Sequence, residues 1–377
     1  ATDKRVGKTA FGNYVGRILS GLSGRETPWG AIIMTHSRGG PPEPPIVNIF
    51  EKGDGRPAKE LTPEEMFNRR FQPAFLENLL KFGLHGGSDV FEDALILSEY
   101  MNAYERRTGR DAPSLSIIGC RRAGAGYFHE FAVSNVDLGL ARAAECQGNY
   151  ILHEGSGGEH PPVKVDSTIT LIPADSDLDK LTDFPGLSAT DLVILAHCQP
   201  ETAGLDRIAQ VEERLKERNP DLPILRSLFE PEILGDQQEL AATLKGKRAY
   251  CFTTAPEIVK DRLAAALERD YGVKMIGVSC HLSRDDLMRK DIEEVLALPE
   301  PPEAFVIEIK ARGVEAARHI HESSGLPYYY INNVPRQVDP EGNPVPGNPD
   351  LDEAIHNVLT AGAERFNNRR GTDFPTG

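Results

Sequence analysis

Ala1-Thr2-Asp3-Lys4-Arg5-Val6-Gly7-Lys8-Thr9-Ala10 closes on a Gly-Lys-Thr triplet and opens an amphipathic run with helical spacing that reaches Leu22. A tight loop at a helix start turns consecutive backbone N–H groups and the positive end of the helix toward phosphate oxygens. Lys8 adds a point charge, and the hydroxyl of Thr9 can hold Mg²⁺. Asp3, Lys4, Arg5, Val6, Gly7, Lys8, Thr9 and Ala10 are therefore expected to bind the phosphates of a nucleotide. The strand that should feed such a loop would lie upstream of Ala1, so a further N-terminal segment is expected.

A second stretch supports the first. Asn149-Tyr150-Ile151-Leu152-His153-Glu154-Gly155-Ser156-Gly157-Gly158 reads as a hydrophobic strand ending in an acid and a glycine-rich turn. A carboxylate fixed at a strand tip near the loop can hold Mg²⁺ directly or through water, so Thr9 and Glu154 are the expected metal ligands. Taken alone, the triplet occurs by chance and the glutamate could be a simple cap; the pairing carries the specificity. Thr2 stands where a first glycine is customary. In this the loop resembles the dethiobiotin-synthetase-like branch of P-loop proteins.

Strands rich in Ile, Leu and Val are expected at 31–34, 116–119, 149–153, 168–172, 191–196 and 224–229. Their alternation with helices predicts an α/β fold of the P-loop NTPase type, a mostly parallel sheet with helices on both faces. A capped helix is expected over 62–82, another from about Val90, and a charged one over 201–218. Residues 230–245, with Pro231 and Gly235, read as a boundary. A second, smaller α/β domain follows, with strands at 248–252, 274–278, 305–309 and 328–331 and a last helix over 351–366. The expected domains are 1–235, binding ATP, and 245–366, with 367–377 a flexible tail.

Basic and glycine-rich segments stand at the strand ends. Arg38-Gly39-Gly40 offers backbone and guanidinium to an anion together, although Pro41, Pro42, Pro44 and Pro45 would equally stiffen a plain solvent loop. Cys120-Arg121-Arg122 enters a glycine-rich turn, and guanidinium forks match phosphate oxygens two at a time. His85 and Asp89 flank Gly86-Gly87 and read either as contacts to substrate or metal or, for Asp89, as a helix cap. His36 and His160 stand beside these loops.

The chain has 377 residues, 40% hydrophobic and 26% charged, with a net charge of −15. That size accommodates two domains, and the charge argues against nucleic acid or an anionic membrane as partner. Five scattered cysteines without a Cys-x-x-Cys pair read as reduced thiols, and no signal-peptide pattern opens the sequence, so a cytoplasmic location is expected.

Seven segments now line up with one family. Gly7-Lys8-Thr9-Ala10, Arg38-Gly39-Gly40-Pro41, Gly119-Cys120-Arg121-Arg122, Glu154-Gly155-Ser156-Gly157, Thr253-Thr254-Ala255-Pro256, His281-Leu282-Ser283 and Asn333-Val334-Pro335 resemble, in the same order, cyclic 2,3-diphosphoglycerate synthetase. The resemblance spans nearly the whole chain. It departs in three places: the family's N-terminal region before the loop, Ala1 in place of glycine, and Ala123 in place of cysteine.

The resemblance implies an enzyme that uses ATP to close a phosphoanhydride between the two phosphates of 2,3-diphosphoglycerate, releasing ADP and phosphate. Under it, Lys8 and the loop amides hold the β- and γ-phosphates, and Arg121 with Arg122 clamp the substrate phosphates. Arg38, with His36 or His160, completes the anion cradle, and Arg284 reaches the substrate from the second domain. The dethiobiotin-synthetase likeness makes Asn333 and Pro335 adenine contacts, unless they form an ordinary strand-ending turn. A homodimer is common for this fold. The competing readings are another ligase of that branch, a small-molecule phosphoglycerate kinase, and a ParA- or MinD-like nucleotide switch. The last usually carries a signature lysine where this loop has Asp3.

Overall fold

The computed structural model describes residues 6–22, 30–37, 46–48, 90–113, 115–123, 133–146, 148–154, 163–182 and 185–376. The helix expected over 62–82, and Asp3, Lys4, Arg5, Arg38, Gly39, Gly40, His85, Asp89 and His160, lie outside the described residues.

In chain order the first half holds α1 (Lys8–Leu19), β1 (Ala31–Ser37), β2 (Ile46–Asn48), α2 (Val90–Thr108), β3 (Leu115–Ala123), β4 (Val133–Ser134), α3 (Val136–Ala143), β5 (Tyr150–His153), β6 (Ile169–Pro173) and α4 (Leu178–Thr182). Then come β7 (Leu192–Ala196), α5 (Leu205–Arg218), β8 (Ile224–Ile233), α6 (Gln237–Leu244), β9 (Arg248–Phe252) and α7 (Lys260–Tyr271). The chain finishes with β10 (Lys274–Ser279), α8 (Asp285–Leu296), β11 (Ala304–Glu308), α9 (Gly313–Ser324), β12 (Tyr328–Gln337) and α10 (Pro349–Arg370).

One sheet has the order β2-β3-β1-β5 with β4 beside β3, and the other the order β10-β9-β11-β12-β8-β7-β6. The pairs β1–β5, β6–β7, β7–β8, β9–β10, β9–β11 and β11–β12 are parallel, and β3–β4 is antiparallel. The expected mostly parallel α/β architecture is what the chain forms.

Two compact units result: 1–44 with 118–229 and 334–377, and 45–117 with 230–333. In the first, Ile33 of β1 meets Gly16 of α1 while its neighbour Met34 meets Gly139 of α3. Successive strand residues face opposite ways, so helices cover both faces. Further along, Val193, Leu195 and Leu228 pack on Ile208, Val211 and Leu215, the apolar stripe of α5. The second unit repeats the pattern. Ala249 and Cys251 of β9 face Leu263 and Leu267 of α7, and Phe252 faces Met288 and Ile292 of α8.

Strand ends differ from expectation. β1 runs through Ser37, so His36 is a strand residue, not a loop one. β3 runs through Ala123, so Arg121 and Arg122 lie in the strand and not in a turn; Arg122 pairs with Ser134 of β4. β12 runs through Gln337, so Asn333 and Pro335 are mid-strand, not a strand-ending turn. In β3 the partner strand sets the length, since β4 pairs with Arg122 and Ala123 against weak side-chain propensity. Pro335 is tolerated because the β11 ladder ends at Ile331, beyond which no N–H is needed on that side.

The stretch 230–245 is also structured. β8 continues to Ile233, and Asp236 caps α6 by accepting from the N–H groups of Gln238 at 3.0 Å and Glu239 at 2.9 Å. At the other end α10 extends past 366 to Arg370, and the segment read as a flexible tail folds back. Asn367 bonds both backbone groups of Phe374, at 2.7 and 2.8 Å, and the Phe374 ring lies 5.6 Å from that of Tyr150. Among the described residues no helix is long and apolar enough to cross a membrane.

Candidate active site

Gly7 is the N-cap of α1 and adopts φ 83°, a left-handed conformation that side chains resist. The Phe229 ring covers the same atom, and a Cβ on Gly7 would lie 2.3 Å from Phe229 Cζ. Two independent constraints therefore demand glycine there. Its carbonyl accepts the first helical bond, from the Phe11 N–H at 2.9 Å, and Val6 beside it in the chain is buried. Lys8 and Thr9 form the first turn of α1, where backbone N–H groups have no helical partner and favour an anion.

Glu154 extends the β5 ladder by one residue, its N–H donating to the Met34 carbonyl at 2.9 Å. Its carboxylate lies against α1: a Cβ added to Gly12 would sit 2.8 Å from Glu154 Oε1. Thr9 precedes Gly12 by one helical step on the same face. The strand-tip acid and the loop helix, paired on sequence grounds, are thus neighbours. The Thr9 hydroxyl and the Glu154 carboxylate are oxygen donors of the kind Mg²⁺ takes, usually with several waters retained. Among the described residues no three His, Cys, Asp or Glu side chains are grouped to hold a metal.

His197, just after β7, has φ 62° and its ring lies 5.5 Å from the Phe229 ring. Left-handed backbone at a histidine is uncommon and clusters at functional sites. The carboxyl end of β7 and Phe229, midway along β8, therefore adjoin Gly7, and the end of a parallel strand is where open α/β sheets place ligands. Neither Phe229 nor Gly12 carries a sequence signal for this role, because both act through packing between distant segments. Of Arg121, Arg122 and His36 the structure describes the backbone alone.

The remaining candidates group differently. In the second unit Asn333 Nδ2 donates to Glu308 Oε1 at 2.8 Å. Glu308 Oε2 accepts from the Thr253 hydroxyl at 2.8 Å and from the Thr254 N–H and hydroxyl at 2.6 and 2.9 Å. This buried carboxylate, at the end of β11, ties the Thr253-Thr254 segment after β9 to Asn333 within β12, a role invisible in the sequence. Asp291 similarly accepts from the Ser279 hydroxyl and holds His281 Nδ1 at 2.8 Å. Arg284 is exposed as the N-cap of α8. Pro335, in the first unit, accepts from Asn348 Nδ2 at 2.9 Å.

A glycine-capped phosphate loop feeding α1, with a strand-tip carboxylate against that helix, defines a P-loop nucleotide-binding domain within a two-part α/β protein. The family model described as cyclic 2,3-diphosphoglycerate synthetase, P-loop domain, matches residues 1–228, and that of the C-terminal domain of the same synthetase matches 240–334. The cyclic 2,3-diphosphoglycerate synthetase of Methanothermobacter thermautotrophicus is 30% identical over 372 residues, 98% of this chain and 68% of that protein. The synthetase of Methanothermus fervidus is 30% identical over 373 residues, covering 98% and 69%. That of Rubrobacter xylanophilus is 29% identical over 339 residues, covering 89% and 65%. The chain belongs to the cyclic 2,3-diphosphoglycerate synthetase family, and is an ATP-dependent ligase acting on a small molecule.

Proposed function

We propose that the chain uses Mg²⁺ and ATP to convert 2,3-diphosphoglycerate into its cyclic phosphoanhydride, with ADP and phosphate as products. The observation that carries this is the contact between Glu154 and Gly12, one step from Thr9, in a chain of this family. Lys8 and the loop amides would hold the β- and γ-phosphates, Thr9 and Glu154 the metal. The metal supplies charge neutralisation across the phosphates when bound.

The chemical difficulty is repulsion between two polyanions, and cations that fix both reactants in line remove it. Arg121 and Arg122 would clamp the substrate phosphates, with Arg38 and His36 or His160 completing the cradle. An oxygen of one substrate phosphate attacks the γ-phosphorus and ADP leaves. An oxygen of the second phosphate then attacks the phosphorus of the first, and inorganic phosphate departs as the ring closes. Every bond formed is a P–O bond, so no side-chain nucleophile is needed.

The catalytic domain would be 1–235 and the second domain 245–366, in a cytoplasmic enzyme that forms a homodimer. Replacing Arg121 and Arg122 with Ala tests the substrate assignment. The double variant is expected to bind ATP normally and to lose more than about a hundredfold of diphosphoglycerate-dependent ADP release, the scale of losing charge-assisted transition-state contacts. Undiminished release would assign the arginines elsewhere and favour a kinase or ligase needing fewer cations.

A further inference from the structure

Thr35 in β1 is 1% exposed, and its hydroxyl has no hydrogen-bond partner among the described residues. An unpaired buried hydroxyl costs about 1–3 kcal/mol, and a native protein that retains one calls for a water, an ion or a ligand to satisfy it. The direction of this side chain follows from its strand. Ile33 meets Gly16 of α1, whereas Met34 meets Gly139 of α3, on the opposite face. Alternation places Thr35 with Ile33, on the α1 side.

The β1–β5 register aligns Met34 with His153, so the next step along both chains sets Thr35 beside Glu154. Glu154 turns its carboxylate to Gly12 on that same side. The missing side chain at Gly12 makes room for the Glu154 carboxylate, and strand alternation turns Thr35 toward the same face of β1. Thr9 stands one helical step nearer the start of α1. One carboxylate and two hydroxyls make an all-oxygen set, which suits a small hard cation that keeps part of its water shell.

We infer that Thr35 is a third oxygen donor of the metal–nucleotide site, meeting the cation or a water bound to it alongside Thr9 and Glu154. This rests on the nucleotide reading proposed above. Val matches Thr in shape and lacks the hydroxyl, so Thr35→Val separates packing from ligation.

The test is the melting temperature of the whole chain with ATP, titrated with Mg²⁺, for wild type, Thr35→Val and Thr35→Ser. Without ligand, Thr35→Val is expected to melt at or above the wild-type temperature, because an unpaired buried hydroxyl has been removed. With ATP, the Mg²⁺ concentration giving half of the full shift is expected to rise about tenfold in Thr35→Val, the scale of losing one supporting oxygen. Thr35→Ser should return it to the wild-type value. An unchanged Mg²⁺ requirement in Thr35→Val, with wild type responding normally, would overturn the Thr35 assignment alone. A wild type that does not respond to ATP would overturn the nucleotide reading and this inference with it.

Discussion

Two glycines in the loop helix illustrate how differently a single Cβ can act. At Gly7 an alanine would meet both a left-handed φ of 83° and the Phe229 ring at 2.3 Å. At Gly12 the obstacle is the far end of a flexible side chain, Glu154 Oε1 at 2.8 Å, and helical backbone favours alanine by about 0.5–1 kcal/mol. Gly7→Ala is therefore expected to lower stability by at least about 2 kcal/mol and to abolish ATP-dependent stabilisation. Gly12→Ala is expected to shift stability by less than about 1 kcal/mol while displacing the carboxylate, so that turnover falls about tenfold or more. Urea unfolding and ADP release on the same preparations separate the two effects. A Gly12→Ala enzyme with full turnover would mean that the position of Glu154 is unimportant.

Among the elements, the start of α10 depends on one residue. Asn348 has φ 51° and is 2% exposed, and its Nδ2 donates to the Tyr14 hydroxyl and the Pro335 carbonyl, both at 2.9 Å. Its Oδ1 accepts from the Gln337 N–H at 2.9 Å. Tyr14, on α1, also bonds Asp352, and burial followed by that bond raises its pKa well above the ordinary tyrosine value. Asn348→Ala should cost about 3–4 kcal/mol by losing the bonds and keeping the strain. Asn348→Gly should cost about 1 kcal/mol less, because only the strain is relieved. Equal losses in urea unfolding would show that the backbone conformation contributes nothing.

Elements were readable in the sequence wherever the signal was local. The apolar runs of β5, β7, β9 and β11 and the Gly7-Lys8-Thr9 loop each announce themselves within a few residues. That β1, β3 and β12 run on through His36, Arg121 and Asn333 was not readable, because pairing with distant strands, not local residue type, decides where a strand stops. The site divides the same way. Thr9 and Glu154 follow from residue type and position, whereas the Phe229 cover on Gly7, the Gly12 gap and the Asn333–Glu308 bond join segments far apart in the chain.

For the molecule as a whole, burial of acids that ionise at high pH sets an alkaline limit. Burial raises Cys120 to about 11 from an ordinary 9.0, and Cys198 to about 12 from the same value. Tyr150 rises to about 12 from 10.0 for the same reason. Each raised group favours the folded state fully below its ordinary pKa. Above that, the unfolded chain ionises first, and stability is lost until the folded pKa is passed. The urea midpoint is therefore expected to hold up to about pH 9 and to fall steadily between about pH 9 and 12, as linkage requires. A level profile across that range would contradict the burial of these groups.

The most direct test of the proposed reaction is ³¹P NMR of the purified chain with ATP, Mg²⁺ and 2,3-diphosphoglycerate. The expected result is a new pair of upfield anhydride resonances growing in step with ADP and inorganic phosphate, while the two monoester resonances of the substrate decline. ADP and phosphate accumulating with the monoester resonances intact would contradict ring closure and leave an ATP-hydrolysing P-loop enzyme of another specificity.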